Sequence, residues 1–409
     1  MDLLPRRPEL LLVSRDQDVS PPTPDPEQAE REREADRKQQ LVEAALKGFK
    51  RVAEAESRQR TREKEDLEFD RALPEDQWPE EMRKIRAASV APNGTHIAER
   101  PCLVIPKLRQ PIRQVLNEAQ QARLGIEVKV KGERANPQGA ELRQGMYRAL
   151  EVDSNAQAAR MWALARAVKC GRGYYRILTD FANDGDWDQD IRIKRILNQG
   201  SVYEDPYATE PDGSDVEWVI LTDTLSKDEF ARRWPKSALG QADGEAWTTY
   251  IDQAPDWVSE DDVRVAEYFY VEHIERTLVR DPATGKNRLL AKAGRPLRDL
   301  ITNRPQKDPT TGERILATTD EAAPAGWKTR KVDERVVHWC IVNGVEVLDE
   351  REWPGRYIPV IRVTGEEFVV DGSERVFKGM ISDAKDAQRS YNFMRSSQVE
   401  AIGLASLAP

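Results

Sequence analysis

The sequence predicts an α+β protein: a mixed α/β domain with antiparallel strands, preceded by a long N-terminal helix and followed by a long C-terminal one. Three observations lead there. Apolar residues recur at helical spacing over 27–70 and again over 374–402. Between residues 174 and 363 the pattern changes to period two, rich in β-branched and aromatic residues. Successive strand-like runs are joined by short loops such as Asn183–Asp188 and Asn343-Gly344, as antiparallel neighbours are.

Residues 1–24 hold Pro5, Pro8, Pro21, Pro22 and Pro24 among scattered charges and read as a flexible leader. Asp25-Pro26-Glu27-Gln28 has the form of a helix start, with Asp as N-cap and Pro at the first helical position. Residues 25–72 are then a charged helical arm with one thin apolar stripe, Leu41, Val42, Ala45, Leu46, Phe49 and Val52. Such a stripe cannot build a core alone; it lies against another domain, against another subunit, or along a solvated single helix. Pro74 and Pro79 mark a break, after which helices are predicted over about 109–123 (Ile112, Val115, Leu116, Ala119) and 138–151 (Leu142, Met146, Tyr147, Leu150). Ser154-Asn-Ala-Gln157 has the capping-box pattern and opens a third, buried helix that Gly171 ends.

Strands are predicted at 174–179, 191–197, 216–222 and 263–271, with a short helix opened by the capping box Ser226-Lys-Asp-Glu229 and stopped before Pro235. Residues 281–335 read as a loop-rich insertion. Asn343-Gly344 between two β-branched runs predicts a type I′ hairpin, and 357–363 a further strand. Residues 374–402 are predicted as one helix, about 43 Å long at 1.5 Å per residue. That exceeds the ordinary globular helix, so its partners extend beyond one compact domain.

Composition bounds the function. The chain has 409 residues, 63 Lys+Arg against 72 Asp+Glu and a formal net charge of -9. No apolar run is long enough to cross a membrane. The acidic balance argues against a protein that coats nucleic acid electrostatically. Three scattered cysteines (Cys102, Cys170, Cys340) and three histidines support neither a zinc ribbon nor a dithiol site; buried free thiols are expected.

Enzyme motifs fail one by one. Thr284-Gly-Lys-Asn287 lacks the upstream glycine and the hydroxyl residue of a P-loop, and Gly171-Arg-Gly173 lacks the third glycine of a dinucleotide fingerprint. Asp184, Asp186, Asp188 and Asp190 alternate as if to gather a hard cation, but Gln189 stands where a calcium loop needs glycine and Arg195 where it needs Glu. A solvated acidic hairpin tip is the better reading. Neither catalytic residues nor a cofactor are expected. A basic run in the insertion (Lys286, Arg288, Lys292, Arg295, Arg298, Arg304, Lys307) lacks interleaved aromatics and reads as a mixed exposed loop. On the C-terminal helix Arg375, Lys378, Lys385, Arg389 and Arg395 are nearly balanced by acids, so helix–helix pairing competes with phosphate contact; these five are the candidate channel or subunit-interface residues.

An ordered set of segments resembles the portal proteins of short-tailed, double-stranded DNA bacteriophages. It runs through Asp66-Leu-Glu-Phe69, Gln77-Trp78, Arg100-Pro-Cys-Leu103, Lys107-Leu108, Arg113-Gln114, Asn117-Glu118, Ser154-Asn-Ala156 and Cys170-Gly171 with Gly173. The most specific stretch, Phe181 to Asp205-Pro206, contains Asp188-x-Asp190-Ile-Arg-Ile193, Arg195-Ile196 and Ser201-Val-Tyr203. Asp212-Gly-Ser-Asp215, Glu217-Trp218, Val263-Arg-Val-Ala-Glu-Tyr268, Tyr357-Ile-Pro-Val360 and the run Gly379 to Arg389 complete it, so the resemblance covers roughly residues 65–409.

The resemblance implies a ring of subunits, commonly twelve, at one capsid vertex of the virion, assembled in the host cytoplasm. The ring is the channel for genome DNA packaging and ejection, without sequence specificity. It is also the platform for terminase, head-tail connector and adaptor proteins, and capsid and scaffolding proteins. By the same resemblance residues 73–373 are a wing domain, 374–402 a stem-like helix, and 403–409 the start of a segment leading to a clip outside this chain. Two alternatives remain at this stage: a virion scaffold or adaptor that forms no channel, and a metal-dependent nucleic-acid enzyme built on the four aspartates.

Overall fold

A computed structural model describes residues 26–90, 96–97, 99–122, 125–130, 136–183, 185, 187–282, 285, 287–295, 315, 317–324, 326–369 and 375–405. The proposed leader 1–24 lies outside them. The helical arm is two helices, α1 (Pro26–Ala55) and α2 (Ser57–Arg71), with one turn-like residue, Glu56, between them. Short helices α3 (Pro74–Gln77) and α4 (Glu80–Arg86) and a two-stranded ribbon, β1 (Ser89–Val90) with β2 (His96–Ile97), lead into an extended strap at 99–107. Helices α5 (Arg109–Ala122), α6 (Pro137–Asp153) and α7 (Ala156–Cys170) follow.

The β-rich half contains β3 (Arg172–Phe181), β4 (Gln189–Arg195), β5 (Val202–Glu204), β6 (Trp218–Ser226), α8 (Lys227–Arg233), α9 (Ala238–Gln241) and α10 (Glu245–Gln253). It continues through β7 (Asp262–Arg280), β8 (Asn287–Leu289), β9 (Lys328–Val342), β10 (Val347–Glu352), β11 (Val360–Thr364), β12 (Glu366–Val369) and β13 (Arg375–Lys378) to the last helix, α11 (Met380–Ala405). Among the described residues the sheets are antiparallel. The largest runs β10-β9-β7-β6-β5 with β8 beside β7, and a three-stranded sheet runs β11-β3-β4.

Period-two alternation fills both faces of the large sheet. Ile220, Ala266, Tyr268, Cys340 and Val342 join Phe230, Leu239, Trp247 and Trp257 from the α8–α10 side. On the other face Val219, Leu221, Phe269, Val337 and Trp339 meet Tyr174 and Ile196 of the small sheet. Val42, Ala45 and Phe49 of α1 are buried in the first of these clusters, so the arm's stripe lies on its own chain and the solvated-helix reading falls. Of the expected buried thiols, Cys170 and Cys340 are buried and Cys102 is half-buried. Burial pushes the Cys170 thiol up to about 11 and Cys340 up to about 12.

Four expectations are corrected. The C-terminal helix starts at Met380, not Glu374: Arg375–Lys378 is strand β13, paired with β12, because two alternating residues face a partner strand before helical spacing begins. Its 26 residues span about 39 Å. Within the insertion, Lys328–Arg335 is strand, extending the β7–β9 pairing from Ala266↔Val342 to Arg280↔Lys328. The Asn343-Gly344 turn is a four-residue loop: Asn343 is fully buried and its Oδ1 accepts from the backbone N–H groups of Val345 and Glu346 (3.0 and 2.8 Å), so Asn supplies an Asx turn and only Gly344 has positive φ. Ser154 does not cap α7, whose N-cap Asn155 adopts a left-handed conformation without a side-chain cap bond.

Helix α7 buries a stripe of small residues, Ala156, Ala159, Ala163, Ala167 and Cys170. The stripe lets β3 come so close that a Cβ on Gly173 would lie 2.0 Å from the Ala163 carbonyl oxygen, and both groups are backbone. Gly173→Ala is therefore expected to cost about 2–3 kcal/mol through overpacking that no side chain can relieve. Urea unfolding followed by circular dichroism checks this; an unchanged midpoint would mean that α7 lies farther from β3.

Candidate functional site

Helix α11 has its polarity inside out. Gln388, Asn392 and Ser396 are buried, while Met394, Val399 and Ile402 are 57%, 49% and 71% exposed. The cause is a match of repeats. Side chains at i, i+4 and i+8 on one helix face are about 6 Å apart along the axis, and alternate N–H groups of an extended chain are about 6.6 Å apart. The strap runs antiparallel to α11 at this spacing. Leu103 N–H donates to Ser396 Oγ (2.9 Å), Ile105 N–H to Asn392 Oδ1 (3.1 Å) and Lys107 N–H to Gln388 Oε1 (3.0 Å).

The ladder is closed on both sides. Gln388 Nε2 donates back to the Ile105 carbonyl (2.6 Å), and Asn392 Nδ2 donates to Gln77 Oε1 (2.7 Å), whose own amide donates to the Phe69 carbonyl (3.1 Å). One turn further on, Glu400 accepts from Arg86 at 3.0 Å. At the N-terminal end Ile381 packs with Phe69 and Ile112, and Lys385 reaches the buried Asp66 at 3.1 Å.

Behind α11 lies a buried ionic collar. Arg172 at the start of β3 is 3% exposed and donates to Glu63 (2.7 Å) and Glu56 (2.9 Å). Gln59 links this pair to β13 by donating to the Phe377 carbonyl (2.8 Å). The guanidinium groups of Arg172, Arg362 and Arg375 stand 5.5, 5.5 and 5.4 Å from the Phe377 ring centre. Arg362 is balanced by Glu204 at 2.7 Å, and Tyr174 donates to the same carboxylate at 2.9 Å. Burial alone would raise the Glu56 carboxyl, but the charges and hydrogen bonds of Arg172 and Arg60 outweigh it and hold the group below the usual carboxylate range.

The five basic candidates sit along this unit, and each has a partner within the chain. Arg375, on β13, donates to Glu367 (2.6 Å) and to the Ala208 carbonyl. Lys378 meets Asp383 (3.3 Å), Lys385 meets Asp66, and Arg389 meets Asp386 (3.3 Å). Arg395 donates to Tyr391 Oη (3.1 Å) and Gln398 (2.9 Å). The structure thus strings them along one helix and the adjoining strand.

Asp184 and Asp186 lie outside the described residues; Asp190 accepts from Arg192 (3.1 Å), and the Asp188 carbonyl closes the hairpin tip by accepting from Ala182 N–H (2.8 Å). Among the described residues no three His, Cys, Asp or Glu side chains are placed to hold a metal ion, and no helix is long and apolar enough to cross a membrane. In the insertion, Arg288 pairs with Glu321 (2.6 Å) and Arg295 with Glu272, while Lys286, Arg298, Arg304 and Lys307 lie outside the described residues. Sequence reasoning missed Gln388, Asn392, Ser396 and Arg172. For the three on α11 the available signal was the four-residue spacing of uncharged polar residues opposite an apolar stripe; for Arg172 there was none.

Two consequences are measurable. Asn392→Ala leaves the Ile105 N–H and the Gln77 carbonyl oxygen buried without a partner, and is expected to cost about 2–3 kcal/mol in denaturant unfolding. Arg172→Met takes the cation from buried Glu63 and one of two cations from half-buried Glu56, and is expected to cost about 3–5 kcal/mol at neutral pH. In the wild type the depressed Glu56 stabilises the fold above its ordinary value of 4.5, and that contribution is lost as pH falls through the lower folded value. Without Arg172 only Arg60 opposes the burial that raises the carboxyl, so this contribution shrinks. Unfolding midpoints of the two proteins should therefore converge as pH falls below 4.5. Parallel curves would show that Arg172 does not carry the pairing.

Comparison with known proteins places this architecture. The family model described as phage P22-like portal protein matches residues 46–409. A curated relative named portal protein, from Acyrthosiphon pisum secondary endosymbiont phage 1, is 25% identical over 315 residues, 74% of this chain and 40% of the relative. The chain thus matches about two-fifths of that relative's length. The family match begins within α1 and takes in the strap, the collar and the whole of α11: the chain belongs to the phage P22-like portal protein family.

Proposed function

We propose that the chain is a subunit of a closed portal ring, commonly of twelve copies, at one capsid vertex. Genome DNA passes through the ring during packaging and ejection. In this reading terminase docks on the ring while the capsid fills, and head-tail connector proteins dock afterwards. Residues 73–373 are the wing, with the arm 25–72 folded onto it. The stem-like helix is α11, beginning at Met380 rather than at residue 374.

The observation that carries this reading is the reversed polarity of α11. A helix that satisfies its polar groups inward and leaves Met394, Val399 and Ile402 uncovered by the described residues removes that apolar surface from water against a further surface, and a neighbouring subunit is the one we propose. A ring of heterologous contacts supplies such a neighbour to every subunit at once. The charge pattern supports passage rather than capture of DNA. Each of Arg375, Lys378, Lys385, Arg389 and Arg395 is engaged within the chain, and the net charge of -9 disfavours electrostatic capture of phosphate.

The test is negative-stain imaging of the full-length gene product beside a Met394→Glu/Val399→Glu variant. The native protein is expected to show closed rings with a central hole. The variant is expected to keep its far-ultraviolet circular dichroism and to lose the rings. A monodisperse native monomer, or a variant that still closes rings, would overturn the assignment.

A further inference from the structure

Gly125-Ile-Glu-Val-Lys-Val130 alternates as a strand does, and the structure leaves it outside every helix and sheet among the described residues, exposed except for the half-buried Val128. One edge is filled by a side chain: Val128 N–H donates to Gln144 Oε1 (2.6 Å), and Gln144 Nε2 donates to the Ile126 carbonyl (2.9 Å). In an extended chain the N–H and C=O of one residue point the same way and those of the next residue point oppositely. The bonds at 126 and 128 therefore commit the even residues to Gln144 and turn the backbone groups of Glu127 and Lys129 to the open edge. An exposed, unpaired edge is a template for another strand.

The geometry points to a second copy of the same segment as the occupant, paired antiparallel across a two-fold axis. The open-edge residues must face one another, and of the registers that allow this the one centred on Val128, with 127 opposite 129 and 126 opposite 130, avoids setting like charges opposite each other. This register sets each Glu127 against the partner's Lys129, and each Ile126 against the partner's Val130. Opposite charges and β-branched pairs directly across an antiparallel ladder are the stabilising arrangement. Within one chain Glu127 and Lys129 already meet at 3.0 Å, both largely exposed, so the cross-strand pairs need little further desolvation. Ile126 and Val130, 55% and 43% exposed, are covered together on one face of the ribbon. A two-fold contact does not generate a ring, so this pairing is separate from the ring contacts proposed above and joins two subunits, or two rings, face to face.

Val128 sits on the axis in a non-hydrogen-bonded pair, where the Cα atoms are about 4.5 Å apart, within disulfide reach. Full-length Val128→Cys in a Cys102→Ser background is expected to form a disulfide-linked dimer on mild oxidation, far faster than Glu127→Cys, which stands off the axis. In sedimentation velocity Glu127→Lys should weaken this self-association about tenfold by setting like charges opposite each other twice. Glu127→Lys/Lys129→Glu should restore it. Cross-linking no faster at 128 than at 127, or a charge swap that fails to restore association, would overturn the pairing. Circular dichroism of each variant separates either result from misfolding. Ring closure, scored by imaging on the same samples, separates it from the portal assignment.

Discussion

A guanidinium removed from water must be balanced or it unfolds what surrounds it. Arg172 is the place where this chain meets that condition. Its carboxylates come from the α1–α2 junction and from α2: Glu56 is the junction residue itself and Glu63 lies two turns on. The amide of Gln59 carries the same cluster across to the backbone of β13. One buried charge thus fixes the helical arm, the first strand of the small sheet and the strand that launches α11. A hydrophobic contact of similar area would hold these elements together but would not set their angular register, because dispersion has no direction and a forked guanidinium has.

The rest of the α11 geometry follows from that placement. With its start fixed by β13 and the Phe69–Ile112–Ile381 cluster, the helix runs beside the strap, and the near-equality of the two repeats aligns a polar ladder with alternate backbone groups. Satisfying the strap through side chains of a helix, rather than through a neighbouring strand, leaves the opposite face of that helix free to be apolar. Inward polarity and an apolar outward face are two aspects of one solution.

Much of this was legible beforehand, wherever a local signal and tertiary packing agreed. Helix α5 falls where Ile112 and its periodic neighbours placed it, and Ser226 caps α8 through the Glu229 N–H as its capping box predicts. Gly171 ends α7 with φ 106°. The misses have physical reasons. Lys328–Arg335 reads as loop because its own side chains are mostly exposed and charged where a core-facing strand would show alternating apolar residues. Arg375–Lys378 was absorbed into the helix because Phe377 and Ile381 happen to be four apart. The capping pattern at Ser154 is overridden by the left-handed Asn155. Gln388, Asn392 and Ser396 were not singled out, since amides and hydroxyls on a helix usually face solvent; the strap, far away in sequence, is what makes them interior. The role of the chain came from the ordered series of segments rather than from any single residue's chemistry.

The strap ladder also has a mechanical meaning. Its bonds lie across the axis of α11, so a pull along that axis loads the contacts of Gln388, Asn392, Ser396 and Glu400 together, in shear, instead of opening them one after another as a zipper would. Failure in shear is all-or-none, with resistance set by the sum of the rungs rather than by the weakest. The helix and the extended segment beside it therefore respond to axial force as a single stiff strut.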